Sequence, residues 1–328
     1  MAITTVNLQI YIYSGLQGSY TDTDLKYTLS KSIIGSDTTI MFEIAELVRD
    51  YIEVSFNDDY LCNTLWVSTV GTIINENGAP YDYNSPVINH YLLFEGYGYF
   101  EDEINPQLST DALISANTIY LPENTSGKLP IFAEGVGKVT IDSTDTQITD
   151  NGNSNQKIQY ITIPANSTEI KVYDTDDTTL LKTIKVNNVC EPKYTPYKVT
   201  FLNRLGVYQD IYFFKKSVES FNVTDEKYKR NTVSNSTLTY ALNESQEQRY
   251  NANATKSITL NTGFINEDSN KTIEELFLSE NCWIKYGNDT LPIIPKSKSM
   301  TFKTSVNDRL ANYTIDFDFA FNKINNVR

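Results

Sequence analysis

The clearest pattern of apolar and polar positions lies near the C-terminal end. Between Leu310 and Phe321, Tyr313, Ile315, Phe317, Phe319 and Phe321 fall on one side, and Asn312, Thr314, Asp316, Asp318 and Ala320 on the other. A period of two predicts a strand with one buried face and one wet face. Ser257 to Phe264 reads as an earlier strand through Ile258 and Leu260. A short helix is expected near 270–279, with Ile273, Leu276 and Phe277 on one face and capping oxygens from Asp268, Ser269 or Asn270. Cys282 to Tyr286 reads as a strand closed by Gly287, Asn288 and Asp289. A further strand is expected from Ser297 to Ser305, turning at Asn307-Asp308.

The rest of the chain is also strand-rich. Leu8, Ile10 and Ile12 alternate with Gln9, Tyr11 and Tyr13 up to Ser14-Gly15. Tyr27–Leu29, Leu65–Val70, Thr72–Ile74 and Asn89–Leu93 follow. From Ile40 to Glu53 the period changes to that of a helix, with Ile40, Ile44, Leu47, Val48, Tyr51 and Ile52 as its stripe and Asp37, Thr38 or Thr39 as its cap. Strands are expected at Lys138–Ile141, Ile158–Ile163, Glu169–Tyr173 and Leu180–Val186, with an exposed loop at 144–156. A strand through Val199 and Phe201 turns at Arg204-Leu-Gly206. A second hairpin is expected between Val218–Val223 and Thr237–Leu242.

Together these elements predict a mainly β chain of two or three β-sandwich-like domains with few short helices. The expected domains are an acidic β domain with one helix at 1–110, a small immunoglobulin-like module at 111–190 and a β-sandwich or tube-like domain with a short helix at 191–328. Residues 111–120 are expected to be a linker. The composition agrees, being rich in Tyr, Thr, Asn, Ile and Val.

Charge and chemistry narrow the function. The net charge is −14, concentrated before residue 190, while the C-terminal part is close to neutral. No basic face for nucleic acid is expected. No apolar run reaches the length of a membrane span, and the first residues carry no secretory signal pattern. The cysteines Cys62, Cys190 and Cys282 form no C-x-x-C pair, so reduced thiols are expected and no zinc site. His90 is the only histidine. No nucleophile elbow, H-E-x-x-H motif or Walker loop is present. Asp174-Thr-Asp-Asp177 and Asp22-Thr-Asp24 lack the glycine and distal glutamate of a calcium loop, so they read as solvated turns. These observations predict no enzyme activity, no cofactor and no metal.

Two aromatic stretches are candidates for contact with other proteins. Phe94-Glu-Gly-Tyr-Gly-Tyr-Phe-Glu-Asp-Glu103 places Tyr97, Tyr99 and Phe100 among glycines and acids. It reads either as a loop that contacts a neighbour or as a glycine-bent strand entering a surface turn. Tyr212, Phe213 and Phe214 form a dense run that reads either as a docking strand or as a strand buried on both faces.

In residues 257–327 a strand leads to a helix ending in Leu276-Phe277-Leu278. A strand and a hairpin follow, and the last strand carries Tyr313-Thr-Ile-Asp-Phe-Asp-Phe. This order resembles the tube-type domain of tailed-phage tail proteins, above all the ring-forming domain of distal tail proteins. The run from Tyr194 to Ser217, with Tyr212-Phe-Phe near its end, is similar to a stretch in virion proteins of marine phages. The resemblance implies a virion structural protein at the tail tip, baseplate or neck, assembled in the host cytoplasm. Its partners would be copies of itself in a symmetric ring and other virion proteins. The alternative is a carbohydrate- or host-receptor-binding protein on the particle surface, with a host glycan as partner.

Overall fold

The fold is taken from a computed structural model, which describes residues 3–34, 39–62, 64–80, 86–103, 112–297 and 310–324. The chain is mainly β, with 52% of residues in strands and 8% in helices, so its core has to come from sheets packed on one another.

Four strands form the first sheet: β1 (Ile3–Tyr13), β2 (Leu25–Ser32), β3 (Leu65–Asn75) and β4 (Val87–Leu93), in the order β2-β1-β3-β4, all antiparallel. Gly71 does not break β3, so two expected strands are one. Both sides of β1 are covered. Ile10 and Ile12 pack with Val48 and Val67 on one side, and Tyr11 and Tyr13 pack with Trp66 on the other.

The helix expected over 40–53 is a single short one, α1 (Ala45–Arg49). Its first-turn cap is Ile44, which has no side-chain oxygen to offer an orphan amide. Val48 is its only buried residue. Beyond Asp50 the chain is needed elsewhere: residues 54–62 run to the C-terminal sheet, where Phe56 packs on Tyr208 and Trp283 at ring-centroid distances of 4.8 and 5.5 Å. That tertiary demand overrides the apolar stripe.

The middle of the chain holds two facing sheets. One contains β5 (Thr118–Pro122), β7 (Lys138–Ile141), β8 (Thr144–Gln147), β10 (Glu169–Tyr173) and β11 (Leu180–Val189), in the order β5-β11-β10-β7-β8, with β5 and β11 parallel. The other pairs β6 (Gly127–Phe132) with β9 (Ile158–Ile163). Leu129, Ile131 and Ile163 of the small sheet meet Val139, Ile170, Val172 and Ile184 of the large one. The expected loop at 144–156 therefore begins with a strand. The expected linker is not a linker either: Ala112, Leu113, Ile114 and Ala116 are buried, because small apolar side chains fill the space beside these sheets.

The C-terminal sheet has seven strands: β12 (Tyr197–Leu202), β13 (Tyr208–Phe213), β14 (Val218–Lys229), β15 (Glu247–Asn266), β16 (Cys282–Tyr286), β17 (Asp289–Pro295) and β18 (Leu310–Ile324). Their order is β13-β12-β16-β17-β18-β15-β14. The helix α2 (Asn270–Leu278) joins β15 to β16 and sends Ile273 and Leu276 into the core of this sheet. The three expected caps do not cap it. Ser269 stands at the N-cap without a side-chain bond, Asp268 accepts the Asn117 amide at 2.5 Å, and Asn270 accepts the Tyr313 hydroxyl at 2.6 Å.

Tyr313, Ile315, Phe317 and Phe319 of β18 are buried, as their alternation requires, in a core with Val199, Phe201, Phe213, Ile258 and Leu260. Phe264 departs from the alternation of β15. The register shifts between Asn261 and Phe264, where Gly263 has φ 74°, and the bulge turns Phe264 outward while Ile265 goes in. The expected strand at Ser297–Ser305 and turn at Asn307-Asp308 lie outside the described residues, apart from Ser297, which is irregular. The strand that follows β16 is β17.

Candidate assembly surface

β14 is an edge of the seven-stranded sheet, and it is long for an edge. It pairs with β15 from Val218↔Thr259 to Lys229↔Glu247. The expected partner, Thr237–Leu242, is instead part of the tip between the two strands. The ladder between β15 and β18 ends at Asn253↔Ile324. Among the described residues β14 and β15 continue beyond that point as a two-stranded arm for about 17 Å, at roughly 3.3 Å per residue, and carry the tip at 230–246.

From Val218 to Asn251 every residue except Thr232 is exposed. Phe221, Val223 and Tyr228 stand exposed on the strand. At the tip Leu238 and Leu242 are 80% and 95% exposed, with Tyr240 between them. The arm's charges are paired across its own ladder: Arg249 with Asp225 at 2.7 Å, Lys229 with Glu247 at 3.8 Å and Arg230 with Glu244 at 3.8 Å. Each exposed pair contributes little. Together they leave the arm locally near neutral and its apolar side chains available for contact. A two-stranded hairpin with no core of its own is marginal in water. An arm of this length with apolar side chains outward has the character of an interface element.

The expected contact residues lie elsewhere. Tyr212 and Phe214 are buried in the core of the middle sheets, and Phe213 is buried in the core of the C-terminal sheet. β13 is thus covered on both faces, and these three residues do not form a docking surface. Tyr97 and Tyr99 are half-buried and tied down within the chain. The Tyr97 amide donates to the Arg204 carbonyl at 2.9 Å and its hydroxyl to the Glu275 carbonyl at 3.4 Å. The Arg204 guanidinium lies 4.8 Å from the centre of the Tyr99 ring. Gly96 is needed for this docking, since a Cβ there would stand 2.8 Å from the Arg204 carbonyl oxygen. Of the six expected contact residues only Phe100 is fully exposed.

Sequence reasoning found Val218–Val223 as a strand but ended it six residues early and paired it with Thr237–Leu242, because the polar residues 224–229 and 247–251 carry no apolar face to extend the pattern. The signal the arm left is indirect: Phe221, Val223, Leu238, Tyr240 and Leu242 are large apolar residues in a segment otherwise too polar to be buried.

Beneath Tyr97, Glu275 of α2 is only 2% exposed. Ser115 Oγ donates to its Oε1, and its Oε2 has no hydrogen-bond partner. Burial holds this carboxyl above its usual value, against the opposing pull of Ser115 and Arg204. The folded chain therefore binds the proton more tightly than the unfolded chain. The stability this contributes is fully present below the unfolded value of 4.5 and is lost as pH rises through the folded value. Glu275→Gln is expected to raise the melting temperature above that range and to change it little below, in scans between about pH 4 and pH 8.

The other candidate chemistry closes on itself. Ser68 Oγ lies 2.6 Å from His90 Nδ1 and 2.7 Å from the Tyr13 hydroxyl. Ser68 is fully buried, so the pair offers no hydroxyl to a substrate. Asp176 accepts the Thr178 and Thr179 amides at 2.8 and 2.7 Å. Among the described residues no group of three or more His, Cys, Asp or Glu side chains is placed to hold a metal ion, and no helix is long and apolar enough to cross a membrane.

No protein-family model matches the chain, and no curated protein sequence matches it.

Proposed function

We propose that the chain is a structural subunit of a tailed-phage particle, at the tail tip, baseplate or neck, and that copies of it join through their C-terminal sheets into a ring. The observation that carries this reading is the β14–β15 arm, continuous in its pairing apart from a register shift between Thr224 and Glu226, and exposed from Val218 to Asn251 except at Thr232. A solvent-facing edge strand with apolar side chains is a hazard in a protein that stays alone, and natural edges are commonly shortened, charged or covered. Here a neighbouring copy is the cover. Copies related by rotation would each place an arm on the next, a head-to-tail contact that closes into a ring when the rotation closes. The resemblance of residues 257–327 to ring-forming tail domains points the same way, as does the near-neutral charge of the C-terminal part.

The test is the mass of the purified chain in solution, with negative-stain images of the same sample. A closed ring whose mass is a whole multiple of 37.3 kDa is expected. A monomer at high concentration would overturn self-assembly through this sheet.

A further inference from the structure

An arm that joins copies has to be received by a surface on the next one, and the first sheet carries a surface of suitable chemistry. α1 and the run 40–44 cover only part of the face that bears Ile10, Ile12 and Val67. Beside them a groove of about 640 Å³ stays open, lined by Leu8, Phe42, Ile44, Val67, Tyr91 and Leu93. Tyr91 is 52% exposed, although it stands opposite the buried Val67 in the ladder. One wall of the groove is β4, an edge of its sheet, and among the described residues no strand pairs with its outer side. Such an edge offers main-chain donors and acceptors next to apolar pockets, the arrangement that takes up an added strand.

The tip of the arm has the matching pattern. Leu238-Thr-Tyr-Ala-Leu242 carries a large apolar side chain at every second residue, which in an extended segment puts all three on one side. Within the chain this segment is not a strand, and all three side chains are exposed. Leu238 has φ 53°, a left-handed backbone that is unfavourable for leucine and that an extended conformation would release.

Charge points the same way. Glu43 lines the groove and Glu46 is exposed on α1, and neither has an ion pair among the described residues. Of the nearby cations, Arg49 is held between Glu95 and Glu280 at 2.7 and 2.8 Å, and Lys31 lies over the Phe42 ring. The rim of the groove is therefore acidic, and the acidic first domain of another copy would be repelled from it. The arm instead brings Lys227. It stands opposite Arg249 in the ladder, and like charges so placed destabilise a strand pair. Arg249 is matched by Asp225, which leaves Lys227 without an ion pair among the described residues. An acidic rim would supply one.

We propose that the segment 238–242 of one copy docks in the first-sheet groove of the next, extended alongside β4, with Leu238, Tyr240 and Leu242 in the groove and Lys227 near its acidic rim. The contact rests on the proposed ring and completes it, by giving each copy one tip and one groove.

The test titrates a fluorescently labelled peptide of residues 234–246 with a full chain whose own tip is blocked by Leu238→Asp and Leu242→Asp. Saturable binding is expected, and a peptide carrying Leu238→Ser, Tyr240→Ser and Leu242→Ser is expected not to bind. Ala45→Arg with Tyr91→Arg, both at exposed positions of the groove, is expected to weaken binding by roughly a hundredfold, because charge is then set against an apolar contact. In an otherwise unaltered chain the same groove pair is expected to keep the circular dichroism and reduce the ring to single chains. Mixed with the tip-blocked chain, it is expected to form pairs and no ring, since one tip and one groove remain between them. Absence of peptide binding overturns the proposal, as do binding that either set of changes leaves intact and rings that survive the groove pair. A single-chain mass for the unaltered protein would overturn the ring instead, and the peptide titration reads the groove without needing one.

Discussion

Phe317→Ala is expected to destabilise the chain by about 3–5 kcal/mol, the usual cost of removing a large aromatic side chain from a closed core. Phe317 has no exposed surface. It sits opposite Ile258 in the β15–β18 ladder and edge-on to Phe213 at 5.9 Å. Neither neighbour can collapse far into the space, because each is fixed by its own strand. A loss of that size is a large part of the roughly 5–15 kcal/mol that holds a typical domain together. Chemical denaturation followed by tryptophan fluorescence reads it directly, since Trp283 lies on β16 of the same sheet. Phe317→Asp is expected to go further and leave the C-terminal sheet unfolded, because the carboxylate would be buried without a partner. Assembly would then fail through loss of the fold. A Phe317→Ala chain with wild-type denaturation would overturn the placement of this face in the chain's own core.

Removing the arm is expected to do the opposite: leave stability nearly intact and abolish the proposed ring. Thr224 and Asn253 face one another in the ladder, so a two-residue Asn-Gly turn can join them after deletion of 225–252. Nearly all the deleted residues are exposed, and losing them should shift the free energy of unfolding by no more than about 0.5–1 kcal/mol. The particle mass should fall to that of one chain. Leu238→Asp with Leu242→Asp is the milder companion, since it keeps the ladder and alters only the tip. Rings that persist after arm deletion would mean that another surface joins the copies. The contrast with Phe317→Ala separates a folding defect from an assembly defect.

The parts of this architecture that could be read from the residues are those where a strand buries one face. Ile158–Ile163, Glu169–Tyr173 and Cys282–Tyr286 have the expected limits, and β18 buries Tyr313, Ile315, Phe317 and Phe319 of its expected inner face but leaves Phe321 exposed. β17 was hidden because Pro292 and Pro295 interrupt it, although Pro292 stands opposite Trp283 in the ladder. The helix at 40–53 was overcounted, since periodicity does not show that the chain leaves after one turn to deliver Phe56 to a distant sheet. Tyr212, Phe213 and Phe214 were ambiguous for a related reason. Three consecutive aromatics have no period, and only the packing of β13 between two cores shows that both sides are covered. The arm was the least legible element. Its partner strand begins after a long tip, and within the arm neither 218–229 nor 247–251 has a buried residue to mark it.

The contact of Phe56 with Trp283 also bears on how the protein is made. Residues 54–62 leave the first sheet early, yet the ring that receives Phe56 is near the other end of the chain. At about 5–20 residues per second, ribosomes need on the order of ten seconds or more to reach it. During that interval Phe56 and Tyr60 lack their final neighbours, and the nascent chain displays aromatic surface that is later covered. Contacts so far apart in sequence also slow refolding from denaturant, because the connecting loop has to close before the contact stabilises anything. The nascent chain is expected to depend on chaperones until Trp283 emerges, and its full-length form to gain protease resistance late, in one step.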